Sequence, residues 1–273
     1  MILLFDIGNT HTHVGLADAG RVRRHTDIPT REWDSGSAEA RVKRFVGLAK
    51  LEGVSVCSVV PRCTPKVVAA TRRNWNIPAH VLSSATLRGV GIRYPKPETI
   101  GPDRLSNALA VRLLYGTPSL VVDFGTAVTF DVVSRAGDYI GGVIAPGLAA
   151  MTDYLHEKTA LLPKITIRDV KASVGKNTEQ AMLIGAVHGY RGLVKELIAE
   201  LKRDLGVQSL PVVATGGYAA LMARGVPEIT AVNSMLTLEG LRLAWLLREE
   251  PSTGRSRGAG TRRRLPKLRS HSS

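Results

Sequence analysis

Two cysteines, Cys57 and Cys63, are the only thiols in 273 residues, and no CxxC pair occurs. That points to two buried, reduced side chains and away from a disulfide or a thiolate zinc site. No apolar run approaches the roughly 18 residues that a membrane span needs, so no membrane partner is expected. The opening stretch MILLFDIGNT has neither a basic leader nor a small-residue cleavage site. It reads as a strand and not as a signal peptide, with a cytoplasmic location as the expectation. Common nucleotide signatures are missing as well. No GxxxxGK[ST] occurs, because Val170 stands where the run ending Gly175-Lys176-Asn177-Thr178 would need its first glycine. No GxGxxG follows a strand, and Gly89-Val90-Gly91 lacks the third glycine. Ala160 after His156-Glu157 excludes an HExxH site.

What is present is an ordinary globular composition, 44% hydrophobic and 22% charged, at a length that leans towards two domains. The net charge of +14 is unevenly placed. Beyond Pro251 stand Arg255, Arg257, Arg262, Arg263, Arg264, Lys267 and Arg269 with no acid, so +7 of the +14 belongs to the tail. Residues 251–273 are rich in Gly and Ser and are expected to be disordered. Such a tail could touch nucleic acid or anionic lipid, but a solvated, functionally neutral extension is the weightier expectation.

Hydrophobic periodicity alternates strand and helix along the chain. Ile2–Ile7 is an apolar run, and His13–Asp18 and Arg21–Ile28 continue it as an antiparallel start. Helical spacing covers Ala38–Leu51, and Val54–Val60 reads as a buried strand stopped by Pro61. Lys66–Trp75 is a predicted helix and Ala79–Leu82 a predicted strand. Ser83–Ile100, rich in Gly and Pro and without a period, is a long loop of the kind that usually carries function. A helix runs from Pro102 or Asp103 to Tyr115. Strands are predicted at Leu120–Phe124, Ala127–Val133, Tyr139–Ala145 and Pro211–Ala214. Helices are predicted at Leu148–Leu162, Thr178–Leu205, Tyr218–Ala223 and Leu236–Arg248.

One internal likeness organises these elements. MILLFDIGNTHTHVGLAD at 1–18 and PSLVVDFGTAVTFDVVSR at 118–135 share an apolar strand, Asp-x-Gly, small polar residues with Thr, and a second strand. Asp6 corresponds to Asp123 and Gly8 to Gly125, with Thr10 matched either to Thr129 or to Thr126. Two copies of one unit predict two similar lobes whose equivalent turns face each other across a cleft. A strand ending in Asp-x-Gly sets a carboxylate at the mouth of a sheet, and glycine allows close backbone approach. A carboxylate facing phosphate implies an intervening cation. In VVATGGYAAL, Thr215-Gly216-Gly217 lies between a strand and a helix, with room for a base or ribose. One Asp-x-Gly alone would be an ordinary turn. Two copies with a strand–TGG–helix match the phosphate-1, phosphate-2 and adenosine arrangement of the actin-like, sugar-kinase superfamily.

At the level of ordered motifs the sequence resembles the type III pantothenate kinases from residue 1 to about 248. The matching blocks are DIGNTHT at 6–12, SVVP at 58–61, IRY at 92–94, GPDR at 101–104 and DFGTAVTFD at 123–131. GGVIAPG at 141–147, GKNT at 175–178, TGG at 215–217 and LTLEGLRL at 236–243 complete the set. The resemblance implies an α/β fold of two actin-like (ribonuclease H-like) lobes, residues 1–115 and 116–250, with the nucleotide between them. It implies ATP-dependent phosphorylation of pantothenate, the first step of coenzyme A biosynthesis. Asp6, Ile7, Gly8, Asn9, Thr10, His11, Thr12 and His13 would form the first phosphate hairpin, and Thr126 would contact ATP in the second turn. Asp103 would be the general base. Tyr94, Gly101, Pro102, Asp103, Arg104 and Thr178 would line the pantothenate site. Asp123 would bind a monovalent cation, potassium or ammonium, with Mg2+ accompanying ATP. A homodimer is implied, and the long 178–205 helix suits that contact. Pro102 departs from the family's usual alanine, but proline is well tolerated in a first helical turn.

Elementary chemistry agrees with these roles. Phosphoryl transfer needs positioning and charge neutralisation more than a strong base. The helix dipole is expected to keep Asp103 ionised and weakly basic, and Arg104 offers a bidentate fork. His11 and His13 share a strand face without further zinc ligands, so contact with the turn or with phosphate is the expectation. Tyr94 has packing on Pro95 and Pro97 as its bland alternative, and Asp131 reads as a supporting or structural carboxylate. The competing function is a kinase-like accessory transcription protein that binds ATP without catalysis.

Overall fold

The computed structural model describes residues 1–248, so the expectation for the basic tail at 251–273 lies outside the described residues. The chain opens with β1 (Ile2–Ile7), β2 (His11–Ala17) and β3 (Val22–Pro29), an antiparallel meander. α1 (Glu32–Ser35) and α2 (Ser37–Val46) lead to β4 (Gly53–Ser58), α3 (Thr64–Trp75) and β5 (Ala79–Val81). β4 pairs parallel to β1, and β5 parallel to β4, giving the order β3-β2-β1-β4-β5. β6 (Gly91–Ile92) and α4 (Pro102–Tyr115) follow. A second meander comprises β7 (Ser119–Phe124), β8 (Ala127–Val133) and β9 (Asp138–Pro146). After α5 (Leu148–Lys158), α6 (Thr178–Ile184) and α7 (Tyr190–Asp204) come β10 (Val212–Thr215), α8 (Ala219–Ala223), β11 (Ala231–Val232) and α9 (Leu236–Leu247). The second sheet, β11-β10-β7-β8-β9-β6, repeats the order of the first with β6 added at its edge.

Strand alternation sorts the core into three parts. Ile2 and Leu4 face a central cluster, while Leu3, Phe5 and Ile7 face the α2–α3 side. In the second sheet Val121 joins the central cluster, and Leu120, Val122 and Phe124 pack with α7 and α8. Residues 6 and 123 follow the same alternation, so each Asp ends the inward face of its strand. α4 and α9 fill the space between the sheets and cross closely, because a Cβ at Gly240 would lie 2.0 Å from the Ser106 carbonyl oxygen.

Several element boundaries differ from the periodicity. The helix expected over 38–51 stops at Val46, where Gly47 takes φ 56° and turns the chain out of the helix. The helix expected over 148–162 ends at Lys158. The helix expected over 178–205 is interrupted by a π-type turn at Gly185–Gly189, bounded by two glycines of poor helix propensity. The expected 83–100 loop contributes β6, which pairs with β9, and a 3₁₀ turn at Pro97–Thr99. Among the described residues no helix is long and apolar enough to cross a membrane.

Candidate active site

The two Asp-x-Gly turns close differently. In the first, Gly8 N–H donates to the His11 carbonyl at 3.0 Å; in the second, Gly125 N–H donates to that of Ala127 at 3.1 Å. The second turn is thus one residue shorter. Asp6 pairs across its hairpin with His13, and Asp123 with Thr129. His13 is therefore the counterpart of Thr129, and Thr10 that of Thr126. Of the two alignments open from sequence, Thr10 with Thr126 holds and Thr10 with Thr129 does not.

Thr30 braces the first turn, its hydroxyl donating to the Gly8 carbonyl at 2.7 Å and its N–H to that of Thr10 at 3.0 Å. Asn9, Thr10 and His11 are exposed at the tip, where they can meet a ligand. Ile7 and Thr12 point into the core instead. Thr12 meets the Thr30 hydroxyl at 3.1 Å and accepts from Trp33 Nε1 at 3.2 Å, so its side chain supports the hairpin from behind. His13 Nδ1 lies 2.7 Å from Asp27 Oδ1. The second turn holds Thr126, whose carbonyl accepts from Gly147 N–H at 3.1 Å.

Asp6, Asp103 and Asp123 are half-buried and share one electrostatic environment. Burial pushes Asp6 up to about 7, His13 works against the rise, and Asp103 and Asp123 add to it. Burial pushes Asp123 up to about 6, opposed by its hydrogen bond from Asn107 and reinforced by Asp103. Asn107 Nδ2 donates to Asp123 Oδ2 at 3.1 Å, and Thr237 holds Asn107 by donating to its Oδ1 at 2.9 Å. Cys57 Sγ donates to Asp6 Oδ1 at 3.3 Å. Gly216 is required where it stands: its φ is +87°, and a Cβ there would lie 2.6 Å from Asp123 Oδ1.

α4 begins at Pro102 with Gly101 before it, as expected for a proline at the first position. Asp103 Oδ1 accepts the N–H of Arg104 at 2.8 Å. Burial raises the pKa of Asp103 despite that hydrogen bond and the Arg104 charge, so it is a stronger base than an ordinary aspartate. The fork expected of Arg104 is partly spent. Its Nε donates to Asp131 Oδ1 at 2.6 Å and its Nη2 to the Phe130 carbonyl at 3.3 Å. Tyr94 lies against Tyr139, with ring centroids 6.2 Å apart, and over Gly141, whose added Cβ would be 3.6 Å from its ring. Thr178 is exposed at the start of α6, and no hydrogen bond joins it to Tyr94, Asp103 or Arg104.

Asn107, Thr237 and Tyr139 were not singled out from sequence, and Cys57 was expected only as a buried, reduced thiol. Asn107 had a signal: it stands one turn after Asp103 on the same helix face, polar in an apolar run.

The family model for type III pantothenate kinases matches residues 2–200. A type III pantothenate kinase of Akkermansia muciniphila is 49% identical over 245 residues, covering 89% of this chain and 97% of that one. Among solved structures, a Sinorhizobium meliloti protein assigned as a 2-dehydro-3-deoxygalactonokinase superposes with a TM-score of 0.56 at 14% identity, covering 89% of this chain and 98% of that one. A Campylobacter jejuni protein assigned to the Baf family of transcriptional activators gives 0.53 at 18% identity, covering 89% and 96%. At these identities the two structures speak for the two-lobed, actin-like fold alone.

Proposed function

Since the chain belongs to the type III pantothenate kinase family, we propose that it transfers the γ-phosphoryl group of ATP to the hydroxyl of pantothenate. The observation that carries this reading is the pairing of Asp6 and Asp123, at equivalent ends of repeated strands, around Asp103 on the helix between the sheets. The lobes at 1–115 and 116–250 would grip the nucleotide through the 6–13 hairpin and Thr126. Asp103 accepts the acceptor's proton while the hydroxyl oxygen bonds to the γ-phosphorus and the bond to the ADP oxygen breaks. Its raised pKa suits this task better than an ordinary aspartate would. Gly101, Pro102, Arg104 and Tyr94 shape the acceptor site. Thr178, remote in its hydrogen bonding, would serve it from the edge or from a second subunit.

Buried carboxylates of raised pKa suit hard cations bound through oxygen. Among the described residues no three His, Cys, Asp or Glu side chains close a metal site by themselves. Asp123 would therefore hold potassium or ammonium, and Asp6 would face Mg2+, only jointly with phosphate oxygens and water. Such cations neutralise charge on the transferred group. We place the reaction in the cytoplasm. The accessory-protein alternative is not favoured, since ligand binding alone has no use for Asp103.

A coupled ADP-release assay tests the reading. Turnover should require pantothenate and rise when potassium is added to sodium buffer. Asp103→Asn should keep ATP binding and lose about 100- to 10,000-fold in rate. ADP release indifferent to pantothenate would overturn the proposal.

A further inference from the structure

Asp131 has no part in the reaction as set out above, yet it is wholly buried in the middle of β8. Its Oδ1 receives Arg104 Nε at 2.6 Å and the Tyr139 hydroxyl at 3.4 Å. Its Oδ2 is buried without a partner. This is a poor way to stabilise a core. A buried ion pair is often no better than apolar side chains of the same volume, and a bare buried carboxylate oxygen makes it worse.

The surroundings are nevertheless shaped to keep it. A Cβ on Gly142 would lie 1.6 Å from the Phe130 carbonyl oxygen and 2.8 Å from Arg104 Nη2, so only glycine leaves the guanidinium its place. Gly141, at φ +124°, lets Tyr94 lie against the sheet beside Tyr139. Three segments thus converge on one guanidinium: α4, which carries it, and β8 and β9, which clamp it. Arg104 Nη1 alone makes no hydrogen bond among the described residues.

We propose that Asp131 is a positioning residue for the acceptor: with the Phe130 carbonyl it fixes the Nε–Nη2 edge of Arg104 against β8 and leaves Nη1 to meet an oxygen of pantothenate. The inference rests on the reading that Arg104 lines the acceptor site. A salt-bridged guanidinium offers a fixed donor with its charge largely compensated, so the acceptor is recognised by direction more than by net charge. Misplacing such a donor by about 1 Å can cost on the order of 100-fold.

The test compares the full-length wild type, Asp131→Asn, Arg104→Gln and the double variant, with KM measured separately for pantothenate and ATP. Asp131→Asn should raise the pantothenate KM about 10- to 100-fold and leave the ATP KM within about twofold. In the Arg104→Gln background it should add less than about twofold, because it acts through that arginine. A merely structural Asp131 predicts other outcomes. These are an unchanged pantothenate KM in a folded Asp131→Asn protein, equal rises in both KM values, or effects that multiply in the double variant. Any of them overturns the proposal. Should Asp131→Asn fail to fold, Tyr139→Phe removes the second donor on Oδ1. It should raise the pantothenate KM about 2- to 5-fold, a smaller effect since Arg104 Nε stays bound; no change would refute the proposal. A wild type that ignores pantothenate would instead sink the functional reading itself.

Discussion

Asp6 and Asp123 stand where charged carboxylates are costly. Burial raises them from the ordinary 3.8 to about 7 and about 6, and Asp103 adds to both rises. Between about pH 4 and 7 the folded chain therefore holds protons that the unfolded chain has released. Their stabilising contribution is complete below the ordinary value and is lost as pH rises through the folded values. The ligand-free protein should accordingly melt at a higher temperature at pH 5.5 than at pH 8, and Asp6→Asn should narrow that difference in calorimetry. A difference as wide in Asp6→Asn as in the wild type would show that Asp6 is not under this load. The repeat made both carboxylates legible in the sequence, because it marks equivalent turns by residue type. Their pKa values were not legible, and neither was that of Asp103. From sequence only the helix dipole acting on Asp103 is visible, and the burial that raises its pKa depends on how α4 packs in the fold.

The crossing of α4 and α9 is the element on which the site depends. Ser106 Oγ donates to the Thr237 carbonyl at 2.8 Å, and Gly240 meets the Ser106 backbone directly. The same stretch of α9 holds Asn107 through Thr237, and Asn107 holds Asp123. Gly240→Ala forces a methyl into the Ser106 carbonyl, and overpacking of this kind costs about 1–3 kcal/mol. A fall in Tm of several degrees is expected, together with a weaker response of turnover to potassium, since Asn107 shifts with α9. A variant as stable and as potassium-responsive as the wild type would mean that the helices separate freely. Strand and helix order was readable from periodicity, while the two-lobed fold class came from the repeated Asp-x-Gly unit and the family resemblance. What escaped were the places where single glycines decide, at Gly47 and at Gly185–Gly189, and the docking of β6 onto β9. Two residues of pairing leave no period to detect.

At the scale of the whole molecule the duplicated β3-β2-β1-β4-β5 order explains why one site needs both sheets, since each supplies one Asp-x-Gly turn. Among the described residues, α5 also carries exposed apolar side chains. On α5, Met151, Tyr154 and Leu155 recur at helical spacing and are exposed, with Tyr154 at 61%, while Leu148 and Thr152 take the buried side. Ile144 before the helix and Leu161 after it are exposed as well, Leu161 at 89%. Exposed apolar residues gathered on one helix face usually mark a surface that another chain covers. The outer face of α7 looks different, since Arg203 there pairs with Glu196 and Glu200. The homodimer that the family resemblance implies would be served by α5, where a two-fold pair would bring two copies of this face together. Sedimentation should give a dimer for the wild type and a monomer for the double variant Tyr154→Lys, Leu155→Glu. The variant's secondary structure should be unchanged, because neither side chain supports the core. A wild type that sediments as a monomer, or a variant that stays dimeric, would remove α5 from the interface.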